Sequence, residues 1–295
     1  MATGELLALI LEGKSVAQAI RAEVRNEVEE LKARGIIPRL QVALVGDDPA
    51  SHSYVRSKEK ACAEAGISSD TARLPATTTQ AELLALVQRW NQDPTTHAIL
   101  VQLPVPDQID SAVILSALDP RKDVDGLNPF NLGRIIAGEP YFYPATPGGV
   151  LELMRRYGII YAGKHVVVVG RSELVGKPLA NMLLQKRESG SATVTVCHSQ
   201  TPDIGRFTRQ ADIVVAAVGR PGLITAEMVK PGAVVIDVGI NRVPCETGTK
   251  LVGDVDFPAV SQIASAITPV PGGVGLMTVA MLLKNTVHAA RINSM

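Results

Sequence analysis

The run His165-Val166-Val167-Val168-Val169-Gly170 constrains this chain more than any other segment. Four consecutive β-branched residues favour a strand, and an unbroken apolar run, rather than an alternating one, suits a strand buried on both faces. Such strands belong to parallel sheets covered by helices on each side. The closing glycine opens the loop Gly170-Arg171-Ser172-Glu173-Leu174-Val175-Gly176, and a helical pattern, KPLANMLLQKR, follows over 177–187. Strand, glycine turn and helix in that order set backbone N–H groups where a dinucleotide pyrophosphate is held. The spacing is not G-x-G-x-x-G, so a glycine turn with no ligand fits the same residues.

The remaining sequence repeats the alternation, which predicts an α/β fold with mostly parallel sheets. Before the valine strand come helices over 14–34, from Asp48 onward, near 79–91 and over 111–118, with strands over 41–45, near 71–74 and over 97–104. After PATPGG (144–149) a helix over 150–157 precedes the valine strand, and TVTVCHS, ADIVVAAVG and GAVVIDVG supply three more strands. A last helix runs from Thr278 to about Ile292 and is expected to return to the first domain. The expected organisation is therefore two domains: 1–146 plus 279–295, and a Rossmann-type unit over 147–278.

Composition narrows the partners. Lys and Arg balance Asp and Glu at 29 each and 46% of residues are hydrophobic, so nothing draws the chain to nucleic acid or an anionic membrane. No apolar run approaches the ~18 residues of a membrane span. Leu6–Leu11 lies between Glu5 and Glu12, without a basic flank, and does not read as a signal peptide. Cys62, Cys197 and Cys245 are far apart and lack ligand spacing, which fits a reducing cytoplasm with neither disulfide nor metal.

The strand TVTVCHS ends without the acidic residue that commonly binds a free ribose 2′-hydroxyl. It ends instead in Cys197-His198-Ser199, and Arg171 is close in sequence to the first glycine, so NADP is favoured over NAD. In the other domain, Asp48 is a good N-cap and Pro49 a good first helical residue. On that helix Tyr54, Val55, Ala61, Cys62 and Ala65 share one face, and Lys58 projects from its centre with Ser51 and Tyr54 on the same side. Two readings stand for Lys58: an aliphatic stem laid on apolar surface with its head in water, or an amine fitted for proton exchange because apolar surroundings disfavour charge.

Asp123 and Asp125 lie in a glycine-bounded loop, as turn formers or as a carboxylate aimed at a ring with adjacent N–H groups. The segment Thr268-Pro269-Val270-Pro271-Gly272-Gly273-Val274-Gly275 reads as a rigid connection or as a wall for a flat ligand. The five histidines form no triad or metal grouping, and no serine occupies a G-x-S-x-G context.

Taken together, GDDPASHSYVRSKEKACAEAGI, ILVQLPVP, KDVDGLNP, GRSELVGKP, VIDVGIN and ITPVPGGVG resemble, in order and spacing, the bifunctional methylenetetrahydrofolate dehydrogenase/methenyltetrahydrofolate cyclohydrolase family. The likeness runs from about Gly13 to the last helix and is closest to the stand-alone bacterial form. It implies an α/β folate-binding domain and a Rossmann-type NADP domain flanking one cleft. There NADP⁺ oxidises 5,10-methylenetetrahydrofolate, and the methenyl product is hydrolysed to 10-formyltetrahydrofolate, in one-carbon metabolism supplying purine synthesis. It also implies Lys58 as the catalytic lysine, Gln102 as its hydrogen-bond partner, Tyr54 beside the folate and Asp125 on the pterin N–H groups. Ser51, Pro271, Gly272, Gly273 and Val274 would border the folate. Gly170, Arg171, Ser172, Ser199 and Ile240 would hold the cofactor, with Arg171 and Ser199 near the 2′-phosphate. A homodimer through the nucleotide domain is implied as well.

Two positions depart from the family pattern: Ala145 replaces a cysteine, and Leu276 replaces a proline after GGVG. The first makes that thiol dispensable, and the second is expected to alter substrate affinity. Two other functions compete, an NADP-dependent dehydrogenase of a small acid such as shikimate and a nucleotide-binding regulator without turnover.

Overall fold

The computed structural model describes residues 8–186, 191–245 and 248–294. The first elements in chain order are β1 (Leu9–Ile10), α1 (Gly13–Ala33), β2 (Arg39–Val45), α2 (Pro49–Ala65), β3 (Ser68–Leu74), α3 (Gln80–Gln92), β4 (Ala98–Val101), α4 (Ser111–Ala117) and α5 (Pro129–Ala137). Then come α6 (Ala145–Arg156), β5 (His165–Val169), α7 (Gly176–Leu183), β6 (Thr193–Cys197), α8 (Gly205–Thr208), β7 (Ile213–Ala216) and β8 (Val234–Asp237). The hairpin β9 (Asn241–Cys245) and β10 (Gly248–Val252), α9 (Phe257–Val260), β11 (Ala266–Ile267) and α10 (Val274–Asn293) complete the chain.

Two compact units divide the chain: Gln18–Ala145 with Val279–Met295, and Met1–Ala17 with Thr146–Thr278. The former contains a parallel sheet in the order β3-β2-β4. Its helices begin where local chemistry dictates. Asp48 caps α2 by accepting from the Ser51 N–H, Pro49 occupies the first turn, and Gly66 ends the helix at φ 76°. Thr79 and Glu82 form a reciprocal capping box on α3. One core packs Val45, Leu83, Val87, Ile99 and Ile114 between sheet and helices. The Lys122 amine closes the far end of α3, donating to the carbonyls of Trp90, Asn91 and Asp93.

The larger unit holds a six-stranded parallel sheet ordered β1-β11-β8-β7-β5-β6. Val166–Val169 are fully buried, as a strand with helices on both faces requires. From β5 the chain steps outward to β6 and then crosses back to β7, so the connections after β5 and β7 part in opposite directions. The smaller sheet has the same property between β2 and β4. Ligands of open α/β sheets sit at the carboxyl ends of strands at these reversals.

Several boundaries differ from the sequence reading. Leu9–Ile10 pairs with Ala266–Ile267, so the N-terminal strand belongs to the large sheet and not to the unit containing Lys58. The strand expected over 97–104 is regular only to Val101. The helix expected from 150 begins at Ala145: Pro147 is tolerated in a first turn, and Gly149 admits the close approach of Met277, 2.8 Å from where a Cβ would stand. The last helix starts at Val274, not Thr278. Helix α5 and the β9–β10 hairpin went unread. Leu6 and Leu7, and Arg187 at the end of the KPLANMLLQKR pattern, lie outside the described residues. Among the described residues, no helix is long and apolar enough to cross a membrane and no group of three or more His, Cys, Asp or Glu could hold a metal ion.

Candidate functional site

The lysine site forms at the β2–β4 reversal. The chain leaves β2 through Gly46 into α2, which carries Lys58 on its inner face, while Gln102 immediately follows β4. The Lys58 side of α2 is buried at Ser51, Val55, Ala61, Cys62 and Ala65, and Lys58 itself is only 9% exposed. Its Nζ donates to Gln102 Oε1 at 3.0 Å. Gln102 is oriented in turn: its Nε2 donates to the Leu103 carbonyl at 2.7 Å and its backbone N–H to Ala43. The amide oxygen therefore faces the amine and brings no charge. Burial pushes the neighbouring Cys62 thiol up to about 11, so it stays protonated at neutral pH.

Tyr54 differs from the expected stripe. It is 47% exposed, because it stands on the flank, where the small Ala61 is covered and a long ring reaches solvent. The Ser51 hydroxyl is spent locally, donating to Asp48 Oδ2 at 2.8 Å, the same oxygen that caps the helix. These bonds hold the Asp48 carboxyl below its ordinary value.

The two loop aspartates divide into a buried and an open one. Asp123 bridges in parallel to Ile99 on β4 and is fully buried, with Oδ2 accepting from the Asn128 N–H and Asn131 Nδ2 at 2.8 Å each. Burial pushes its carboxyl up to about 6, and Oδ1 has no hydrogen-bond partner among the described residues. Asp125, two residues further toward the carboxyl end of the sheet, is half-buried. Sequence reasoning missed Asn285 on α10, whose Nδ2 donates to the Val124 carbonyl at 2.8 Å and to Tyr143 at 3.0 Å, fixing the backbone between the two aspartates. Asn285 is one of several polar residues on that helix, so no local signal set it apart.

The nucleotide site forms at the β5–β7 reversal. Gly170 has φ 126°, and a Cβ there would overlap the Ala217 carbonyl, while a Cβ on Gly176 would overlap the Gly170 carbonyl. Both glycines are fixed by close backbone packing, which leaves a tight cradle before α7. A cavity of about 250 Å³ opens there, lined by Gly170, Arg171, Ser172, His198, Ser199 and Arg220 among others and by no acidic residue. That donor set fits the phosphates of a dinucleotide. The Ser172 oxygen also closes the loop, accepting from the Val175 N–H at 3.2 Å and from Gly176 at 3.4 Å. Ser199 is exposed at the strand end.

In the same unit, the Pro271–Val274 segment separates by exposure. Pro271 is exposed, whereas Gly273 and Val274 are buried. A Cβ on Gly273 would come within 2.6 Å of the Pro269 carbonyl, so that glycine is accounted for by packing. Ile240 is 44% exposed, and its Cδ1 lies 3.0 Å from where a Cβ on Gly275 would stand.

A Rossmann-type unit with a phosphate cradle, in one chain with a second α/β unit that buries a lysine against a glutamine, defines a two-unit NAD(P)-dependent α/β enzyme. The family models narrow this. Residues 11–125 match the tetrahydrofolate dehydrogenase/cyclohydrolase catalytic domain and residues 144–294 the NAD(P)-binding domain of the same family. The chain belongs to the tetrahydrofolate dehydrogenase/cyclohydrolase family. It is 58% identical to the bifunctional protein FolD 2 of Geobacter metallireducens, over 97% of this chain and 98% of that protein. Among solved structures it is similar to the bifunctional methylenetetrahydrofolate dehydrogenase/cyclohydrolase of Campylobacter jejuni, with TM-score 0.92 and 48% identity over 97% of this chain and 99% of that one. The Trypanosoma brucei dehydrogenase-cyclohydrolase, solved with NADP and an inhibitor, has TM-score 0.91 and 43% identity over 97% and 98%. Shikimate 5-dehydrogenase of Listeria monocytogenes, at 14% identity and TM-score 0.53 over 85% and 92%, shares the fold alone, so the small-acid alternative is set aside.

Proposed function

We propose that the protein oxidises 5,10-methylenetetrahydrofolate with NADP⁺ and hydrolyses the resulting 5,10-methenyltetrahydrofolate to 10-formyltetrahydrofolate, in one-carbon metabolism. The observation that carries this reading is the buried Lys58 hydrogen-bonded to the neutral, oriented Gln102. NADP⁺, when bound, accepts the hydride. Hydration of the methenyl cation needs a proton acceptor for the attacking water that does not repel the cation. A lysine nitrogen is a base suited to that role, and the glutamine orients it without placing a charge beside it. Tyr54, exposed beside Lys58, offers a face for the flat pterin, and Asp125 supplies a carboxylate for paired N–H groups. Ser51, Pro271 and Gly272 border the folate, with Gly273 and Val274 supporting that wall from beneath. Gly170, Arg171 and Ser172 hold cofactor phosphates, Arg171 and Ser199 read the 2′-phosphate, and Ile240 packs against the cofactor.

The buried Cys62 and Cys197 thiols suit a reducing cytoplasm. A homodimer through the nucleotide unit is supported by the edge of β6, which no strand pairs among the described residues and on which Val196 is exposed, and by the exposed Leu251 of the β9–β10 hairpin. Light scattering after size exclusion reads the assembly directly.

One coupled assay tests the activity: NADP⁺ reduction with methylenetetrahydrofolate, then decay of methenyl absorbance. The reading requires both signals and a preference over NAD⁺. Silence in both, beside an active control enzyme, overturns it.

A further inference from the structure

Arg220 stands on a turn that is built with unusual rigidity. Val218, Gly219 and Arg220 follow β7, and their three successive N–H groups converge on one carboxylate. Asp254 Oδ2 accepts from Val218 at 2.7 Å and Gly219 at 3.0 Å, and Oδ1 accepts from Arg220 at 2.9 Å. Asn241 Nδ2 adds a fourth bond to Oδ1 at 2.9 Å. Asp254 is fully buried, so this turn is organised by a carboxyl group taken wholly out of water. Its surroundings leave no slack. Asp237, also buried, accepts from the N–H groups of Gly239, Asp254 and Val255, and a Cβ on Gly239 or Gly253 would strike the facing aspartate.

What this turn presents is a cation. Arg220 lines the cavity that also contains Gly170, Arg171 and Ser199. Among the described residues neither Arg171 nor Arg220 has an ion-pair partner, although carboxylates elsewhere on this unit engage Lys177, Arg209 and Lys230. Two unpaired guanidinium groups facing one cavity without a lining carboxylate form a site for a multiply charged anion.

We propose that Arg220 is a second cationic contact to a phosphate of the dinucleotide cofactor, and that Asp254 is the positioning residue that presents it. The proposal deepens the assignment of a dinucleotide to this cavity and rests on it. The 2′-phosphate and the pyrophosphate offer Arg220 the same chemistry, and the cofactor pair NADP⁺ and NAD⁺ tells them apart.

The test is titration of NADP⁺ and NAD⁺ into the wild-type protein and the Arg220→Gln variant, whose exposed position leaves the fold intact. Loss of a charge-assisted phosphate contact weakens affinity by about tenfold or more. A loss for NADP⁺ alone assigns Arg220 to the 2′-phosphate, and an equal loss for both assigns it to the pyrophosphate. Either result carries the proposal, and affinities within twofold of wild type for both cofactors overturn it. The far-UV circular dichroism and melting temperature of Arg220→Gln should match wild type, which separates a lost contact from a damaged fold. Asp254→Asn, which turns an amide N–H₂ toward N–H donors, should weaken cofactor binding in the wild-type background and add little in the Arg220→Gln background. Additive losses contradict a role acting through Arg220. If the wild-type protein binds neither cofactor, the parent assignment itself fails, a result distinct from normal wild-type binding with an inert Arg220→Gln.

Discussion

Lys58 Nζ and Gln102 Oε1 lie 3.0 Å apart, with the glutamine amide pinned by its own bond to the Leu103 carbonyl. An acceptor without charge is the notable part, since a carboxylate there would lock the lysine as an ammonium. Gln102→Glu keeps the shape and adds that charge. Cyclohydrolase turnover at neutral pH should fall by about 10²-fold, the lower end of what a positioned acid–base group supplies. Hydride transfer to NADP⁺ should fall much less, and assaying both steps on one preparation checks the split.

Asp123 gives a pH effect of determined sign. Its ordinary value is 3.8 and burial raises it to about 6. Between those values the folded state holds a proton that the unfolded chain has released, so this group's contribution to stability falls as pH rises through about 4 to 6. Asp123→Asn keeps an oxygen for the Asn128 and Asn131 donors and replaces the other oxygen with an uncharged amide nitrogen. Asp123→Asn should therefore be more stable than wild type at pH 8 by about 1–3 kcal/mol, with the difference vanishing below pH 4. Urea unfolding at the two pH values measures it.

At Gly170 any side chain meets the Ala217 carbonyl and must adopt φ 126°. Gly170→Ala should displace the turn before α7 and weaken NADP⁺ binding by at least tenfold. Cofactor-independent cyclohydrolase turnover is the control that separates this from general unfolding.

Asn285→Ala removes the donor that the buried Val124 carbonyl accepts from and a second bond to Tyr143. A buried acceptor left without its donor costs about 1–3 kcal/mol, and the loop bearing Asp125 loses its tether. A lower melting temperature and a raised KM for the folate, with NADP⁺ affinity unchanged, are the expected results.

How far the sequence discloses this structure depends on whether a residue's role is local. The start of α2 follows from Asp48 and Pro49, and the buried strand from four valines, because cap chemistry and β-branching act over a few residues. The inward face of Lys58 follows from helical periodicity. Its glutamine partner lies 44 residues away, so the motif resemblance, and not spacing, brought Gln102 forward. Tyr54 was misread as part of the stripe because periodicity reports direction and not depth. Ala145–Gly149, with a proline and two glycines, and Val274–Met277, which follows Pro271-Gly272-Gly273, look like loops, yet both are helical. The cause is tertiary: Gly149 is small so that Met277 can pack on it. The Asp254 cluster under Val218–Arg220 is likewise a contact between distant segments, with no local pattern to mark it.

The central claim is that Lys58 serves the water chemistry, and Lys58→Met tests it most directly by removing the amine while keeping the apolar stem. Methenyltetrahydrofolate hydrolysis and folate affinity should be measured on the same variant. The account expects hydrolysis to fall by at least 10²-fold with folate affinity changed by less than about tenfold. Hydrolysis at a near wild-type rate would contradict it.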